Sequence, residues 1–319
     1  MPLPPAFEGR LAVPAIAAPM FLVSGPDLVA ETCRAGVLGT FPALNARSTA
    51  LYGDWLDTIS GRLAAAPGAA PFGVNLIVHK TNARLAADLA VTVEKKVPLV
   101  ITSLGAVRDV VDAVHSYGGL VFHDVISRRH AEKATEAGVD GIIAVAAGAG
   151  GHAGTLSPFA LLGEIRRVFA GTLVLSGAMS TGAHIAAAQV MGADLAYLGT
   201  RFIATRESLA PPEFKDMLVA SSADDVVYTD AISGVNANFL RPSMVRAGLD
   251  PANLVKHAGL DMASEAKAWR DVWSAGQGVG AVADIPGAGE LCARLAREYD
   301  AALAAAAARR SQPALATAV

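Results

Sequence analysis

The chain predicts an α/β fold, a (β/α)8 TIM barrel with a small, mainly helical second domain at the barrel mouth. Three observations lead there. Eight short apolar runs recur between residues 11 and 203, separated by amphipathic, Ala-rich segments. Within each run the apolar residues are continuous rather than alternating, the pattern of strands buried on both faces and covered by helices. Several helical segments end at a glycine and pass at once into the next run. Eight evenly spaced units favour closure over an open doubly wound sheet.

In order, the strand candidates are AVPAIAAP, VLGTFPAL, FGVNLIV, PLVITS, GLVFHDV, GIIAVAA, TLVLSGA and DLAYLGT. The helix-to-strand junctions read CRAGVLG, SYGGLVF, TEAGVDG and VMGADLA. Glycine just past a last helical turn adopts the left-handed conformation at no steric cost, and a short loop then returns the chain to the sheet. After Arg201-Phe202 the rhythm is lost. Residues 1–208 are therefore assigned to the barrel and 209–276, with mixed polarity and several prolines, to a small helical domain covering its mouth. Residues 277–319 return to the barrel, with a helix over 286–310 and a frayed tail after Pro313.

Composition narrows the function classes. Apolar residues make up 53% of 319 and charged residues 17%, enough for a large core and contrary to general disorder. A net charge of −3 with only isolated arginine pairs argues against nucleic-acid binding. Two cysteines, Cys33 and Cys292, both in helical patterns, fit a reducing compartment without a disulfide framework. Mean hydropathy is +0.41, yet every apolar run is broken well short of the ~18 residues that suggest a membrane span. The N-terminus lacks the charged start and long apolar core of a signal peptide. The chain reads as soluble and cytoplasmic.

In such a barrel, chemistry gathers where strands end and loops lead into helices. That places Pro19 and Met20 after the first strand, Asn75 in the third, and His123 and Asp124 in the fifth. The 146–157 loop follows the sixth strand, Ser176, Gly177 and Ala178 the seventh, and Gly199, Thr200 and Arg201 the eighth. The last two loops offer backbone N–H groups and hydroxyls in consecutive units, the usual place for a phosphate. The 146–157 loop also satisfies a permissive dinucleotide fingerprint, Gly148-x-Gly150-x-x-Ala153. Its context rejects that reading, because Ser157-Pro158 starts the helix only after the glycines and no acid ends the next strand. Of seven histidines, His79, His115, His130, His184 and His257 read as structural. His152 stands among small residues on an active-face loop, where an imidazole could serve a weak carbon acid as base or hydrogen-bond a forming anion. His123 and His130 lack the ligand pattern of a zinc site.

The landmarks APM (18–20), PFGVNL (71–76), GAGGHAG (148–154), LSGAMSTG (175–182), LGTRFIAT (198–205) and WSAGQGVG (273–280) together resemble the nitronate monooxygenase family over about Pro14 to Gly280. The resemblance implies an FMN-containing barrel with a small domain over the flavin. It implies that His152 is the catalytic base or anion partner, and that Asn75 contacts the flavin or its ribityl chain. Gly150 and Gly151 would line the ring. Ser176, Gly177 and Ala178, with Gly199 and Thr200, would hold the phosphate. Ala18, Pro19, Met20 and Asp124 complete the implied cofactor-binding set, although some relatives carry Lys or Ser where this chain has Asp124. The implied reaction is oxidation of alkyl nitronates by O2 to carbonyl compounds and nitrite, a role in nitroalkane detoxification. An NAD(P)H-dependent FMN reductase of quinones or enoyl thioesters on the same scaffold stays open, as does a flavin-free barrel binding a phosphorylated metabolite. The implied partners are a small-molecule substrate and O2, with no nucleic acid, membrane or metal. Nothing marks an interface, so monomer and homodimer are both open.

Overall fold

A computed structural model describes residues 3–105, 108–254 and 269–310. Eight parallel strands close into a barrel: β1 (Ala15–Ala17), β2 (Leu38–Pro42), β3 (Gly73–Ile77), β4 (Leu99–Ser103), β5 (Leu120–Val125), β6 (Gly141–Val145), β8 (Thr172–Ser176) and β9 (Leu195–Leu198). Each lies within one of the eight predicted runs. Between them come α1 (Pro26–Arg34), α2 (Thr49–Ala64), α3 (Leu85–Glu94), α4 (Arg108–His115), α5 (Arg128–Ala137), α6 (Pro158–Arg166) and α7 (Gly182–Val190), and the short α8 (Thr200–Ile203) follows β9. The closing pair is β9 with β1, where Tyr197 lies opposite Ile16. At the four junctions, Gly36, Gly118, Gly138 and Gly192 all have φ between +76° and +100°, so the glycines serve the left-handed turn that the sequence predicts.

Strand alternation explains why the runs are apolar throughout. One set of positions, including Ala17, Val74, Val100, Val121, Ile142 and Leu173, packs under the helices. The other set, including Ile16, Leu38, Ile101, Phe122, Ile143 and Val174, fills the barrel interior, with Phe7 packed edge-on against Phe122 at 6.1 Å. Toward the strand C-termini the same inward face turns polar, and this change positions the site. On β3 it presents Asn75, on β4 Ser103, on β5 Asp124, on β8 Ser176 and on β9 Tyr197.

The 209–276 segment departs from the mainly helical expectation. It carries α9 (Pro212–Ala220) and α10 (Arg241–Arg246), but also β10 (Val226–Thr229) and β11 (Ala237–Leu240). These two strands pair antiparallel, and β11 pairs on its other edge with the two-residue strand β7 (Gly151–His152) in the loop after β6. The hairpin thus completes its sheet with backbone from a distant part of the chain. No local pattern announces such a strand.

The return to the barrel is tied by charge and close backbone contact. Arg201 and Arg294 both bond Asp284, with Arg201 Nη2 to Oδ1 at 2.6 Å and Arg294 Nη2 to Oδ2 at 2.7 Å. Arg201 is buried and does not reach the barrel mouth, so its place among the site candidates is corrected to a structural one. The last helix, α11 (Ala288–Arg310), packs on α7 and α1. The tail after Pro313 and His257 lie outside the described residues. No described helix is long and apolar enough to cross a membrane.

Gly141 tests the interior packing. A Cβ there would stand 2.4 Å from the Phe122 ring. Gly141→Ala should destabilise the protein by about 1–3 kcal/mol, the cost of overpacking a filled core. Phe122→Leu in the same chain should recover part of the loss, as read from chemical unfolding.

Candidate functional site

A cavity of about 1390 Å³ opens at the C-terminal ends of the barrel strands. Its wall includes Ala18, Pro19, Met20, Asn75, Asp124, Gly150, Gly151, His152, Ser176, Gly177, Ala178, Gly199 and Thr200, so the structure brings these predicted site residues to one place, Arg201 excepted.

The loop after β6 is held by later segments. The Gly148 carbonyl accepts from the amides of Ala178 (3.2 Å) and Gln277 (2.9 Å). Asn238, buried on β11, donates from Nδ2 to the Ala149 carbonyl at 2.6 Å. The Gly151 amide donates to Ser274 Oγ at 2.8 Å, and that hydroxyl donates to the Asn238 carbonyl at 2.6 Å. The Tyr228 hydroxyl donates to the Ala153 carbonyl at 2.9 Å. Every one of these bonds satisfies a main-chain group that would otherwise need water.

This packing gives two loop glycines a reason that the sequence does not reveal. A Cβ on Gly150 would lie 2.9 Å from the Gly276 amide nitrogen, and one on Gly148, at φ +81°, would lie 2.7 Å from Gln277 Oε1. They let the loop meet the 275–278 segment, Gly150 against its backbone and Gly148 against the Gln277 side chain. Gly151, at φ +70°, meets nothing closer than Trp269 at 4.0 Å. The loop does not open a helix: α6 begins at Pro158 with Ser157 in the cap position, though without a side-chain cap bond.

His152 sits on β7 opposite Ala237. Its ring meets Trp269 edge to face at 5.4 Å, and Trp269 stacks on Phe239 at 4.9 Å. Near His152, a polar chain links the ends of the neighbouring strands β3, β4 and β5. Asn75 Nδ2 donates to Ser103 Oγ at 2.9 Å, and Ser103 Oγ donates to Asp124 Oδ2 at 2.5 Å. Burial pushes the Asp124 carboxyl up to about 6, against the Ser103 hydrogen bond and the nearby His152, which both lower it. Burial and the Asp124 charge push the Tyr197 phenol well above its ordinary range. His123, bonded through Nδ1 to Thr102 Oγ1 at 2.8 Å, is pushed down to about 4 by burial. The cavity therefore favours neutral forms of the groups around it.

At the β8 and β9 ends, Ser176 and Thr200 are buried, and Gly177 (φ +139°) and Ala178 (φ +53°) turn the chain sharply. The Ala178 amide is spent on Gly148. Thr200 Oγ1 accepts from the Gly276 amide at 2.8 Å and keeps its own proton to donate. Ser180 Oγ is buried without a hydrogen-bond partner among the described residues.

Of the histidines read as structural, His115 pairs with Asp140 at 2.9 Å and His184 accepts from the Ser180 amide. His79 bonds Thr81. His130 stands exposed at the cavity wall with His123. Sequence reasoning missed Ser103, Tyr228, Asn238, Ser274 and Trp269. Ser103 ends a predicted strand, and Ser274 lies inside the WSAGQGVG landmark, so both had a positional signal. The others depend on pairing between distant segments. Buried Cys33 is held up to about 12 by desolvation, and Cys292 is raised for the same reason, so both stay as inert thiols.

With this geometry in view, comparison with known proteins is informative. A family model described as nitronate monooxygenase matches residues 9–298. The chain is 29% identical to a nitronate monooxygenase of Paraburkholderia phytofirmans, over 89% of this chain and 92% of that one. It is 27% identical to a (3aS,4S,5R,7aS)-5-hydroxy-7a-methyl-1-oxo-octahydro-1H-indene-4-carboxyl-CoA dehydrogenase of Rhodococcus jostii. That match covers 77% of this chain and 65% of the relative, just under two thirds of its length. Among solved structures, nitroalkane oxidase from Streptomyces ansochromogenes superposes with a TM-score of 0.78 at 27% identity, covering 94% of this chain and 99% of that one. FabK from Thermotoga maritima superposes with a TM-score of 0.77 at 24% identity, covering 94% and 97%, a likeness of fold alone. The chain belongs to the nitronate monooxygenase family of oxidoreductases.

Proposed function

We propose that the protein is an FMN-dependent oxidoreductase that oxidises alkyl nitronates with O2, giving carbonyl compounds and nitrite. One observation carries this reading: an imidazole, His152, and a half-buried acid, Asp124, share the wall of a single large cavity at the barrel mouth.

The residues present fit a flavin mononucleotide. The cavity's 1390 Å³ exceeds the roughly 300–1,000 Å³ of ordinary ligand pockets, leaving room for a flat ring and a small substrate. The Thr200 hydroxyl, which keeps its proton, is a donor on the cavity wall at the β9 end. There Ser176, Gly177, Gly199 and Thr200 would hold the phosphate, with Ala178 contributing its turn rather than its amide. Ala18, Pro19, Met20, Gly150 and Gly151 would line the ring, and Asn75 would reach it or the ribityl chain. Bound there, FMN supplies an electron acceptor for nitronate oxidation and a route for those electrons to O2.

The chain's own residues prepare the substrate. Val23, Val145, Ile203 and Phe214 give the cavity apolar walls that strip water from an anion and strengthen each remaining polar contact. His152 is positioned to hydrogen-bond a nitro oxygen or to exchange a proton at the α-carbon. Pairing to Ala237 and the edge of Trp269 fix its place.

A second reading, reduction or dehydrogenation of a thioester on the same scaffold, is favoured by the size of the cavity and by the Rhodococcus relative named for a CoA thioester. Anaerobic mixing separates the two. Nitronate should bleach the yellow protein's visible flavin band, whereas rapid bleaching by NADH or NADPH alone would overturn the nitronate reading. Purification without colour and without FMN uptake would favour a flavin-free barrel. His152→Ala should keep FMN bound but lower nitronate turnover by about 10²–10⁴, the scale of a lost acid–base group. Steady-state kinetics at equal flavin content checks this.

A further inference from the structure

Asp124 is held in an unusual way for a carboxyl. Its Oδ2 accepts the Ser103 proton at 2.5 Å, while Oδ1 is buried and has no hydrogen-bond partner among the described residues. Ser103 is in turn fixed by the Asn75 amide, so its hydroxyl proton is committed to Oδ2. Asp124 lines the cavity. A buried carboxylate with one oxygen unpaired is costly, and the cost is removed when that oxygen carries a proton and donates it. Since Oδ2 is already an acceptor, the proton belongs on Oδ1.

We infer that Asp124 meets an anionic ligand of the cavity as the neutral acid, a small turn of the carboxyl bringing the buried Oδ1 to the cavity surface, where it donates a hydrogen bond to an oxygen of a planar oxyanion such as a nitronate. Binding of the anion then draws one proton from water onto the protein. The inference rests on the proposed function for the class of ligand and adds the protonation state in which that ligand is held. The titratable groups acting on Asp124 are His152 from β7 and Tyr197 from β9. Its neighbours on β3, β4 and β6 are Asn75, Ser103 and Ile143, none of which titrates in this range. An incoming negative charge raises a carboxyl's proton affinity further, in the same direction as burial. An ionised Asp124 would repel the anion, so the proton is taken up on binding.

The linkage has a definite sign. Where free Asp124 is already protonated, below about pH 6, anion affinity is insensitive to pH. Above that, each unit of pH costs about a factor of ten, because one proton must be bound with the ligand.

Calorimetric titration of the full chain with potassium nitrate, a planar oxyanion that needs no turnover, tests this. The titration is run near pH 5.5 and 7.5 in buffers of different protonation heat. Close to one proton should be taken up per nitrate at the higher pH and little at the lower, with affinity at least about tenfold weaker at the higher. Asp124→Asn should abolish the uptake. Ser103→Ala removes a donor to the carboxylate and should move the break to higher pH, and it decides the matter if the first variant does not fold. His152→Gln should retain the uptake. Uptake that survives Asp124→Asn, uptake that disappears with His152→Gln, a break that Ser103→Ala does not raise, or no nitrate binding at either pH would each overturn the inference. Nitronate turnover and nitrate-linked proton uptake can fail separately, so the two readings remain distinguishable.

Discussion

The site depends on a hydrogen-bonded clasp between the loop after β6 and two later segments of the chain. Gly151 donates to Ser274 across 123 residues of sequence, and Asn238 donates to Ala149 across 89. A glycine-rich loop at a barrel mouth has little intrinsic stiffness. Here the clasp supplies it, and β11 extends it by pairing with His152 itself. The imidazole that would face the substrate is thereby part of a small sheet rather than the tip of a free loop, which is how a reacting group is held to a narrow range of positions.

Burial then sets the chemistry. Desolvation raises Asp124 and Tyr197 and lowers His123, so each is driven toward its uncharged form. For His123 this has a stability consequence. Its neutral form is favoured by folding, so its contribution is fully present above about pH 6.5 and is lost as pH falls toward 4. Asp124 acts in the opposite sense: folding favours its protonated form, and its contribution declines as pH rises from 3.8 toward 6. A cavity that resists fixed charge suits a ligand whose negative charge is spread over several atoms and is met by donated hydrogen bonds.

Much of this was legible in the sequence, for local reasons. The eight strands are self-contained apolar runs, and Gly36 and Gly138 mark helix ends because a left-handed residue is needed there whatever the surroundings. Pro158 likewise announces the start of α6. The residues gathered at the cavity follow from one rule of the fold, that strand C-termini converge. The β10–β11 hairpin was not legible, since its third strand is only two residues long and comes from the loop after β6. Nor was the purpose of Gly148 and Gly150, which approach the 275–278 segment; a sequence shows that a backbone is loose but not what it must approach. Asn238 was missed for the same reason, as it matters only through a partner many residues away.

The central claim, that the clasp positions His152 for chemistry, is tested most directly by amide hydrogen exchange across residues 148–153 in the wild type and in Ser274→Ala. The Gly151 amide should be protected in the wild type and should exchange about five- to tenfold faster in the variant, the scale of one lost hydrogen bond, while nitronate turnover falls and flavin content is kept. Unchanged exchange at Gly151, or faster exchange with turnover intact, would contradict it.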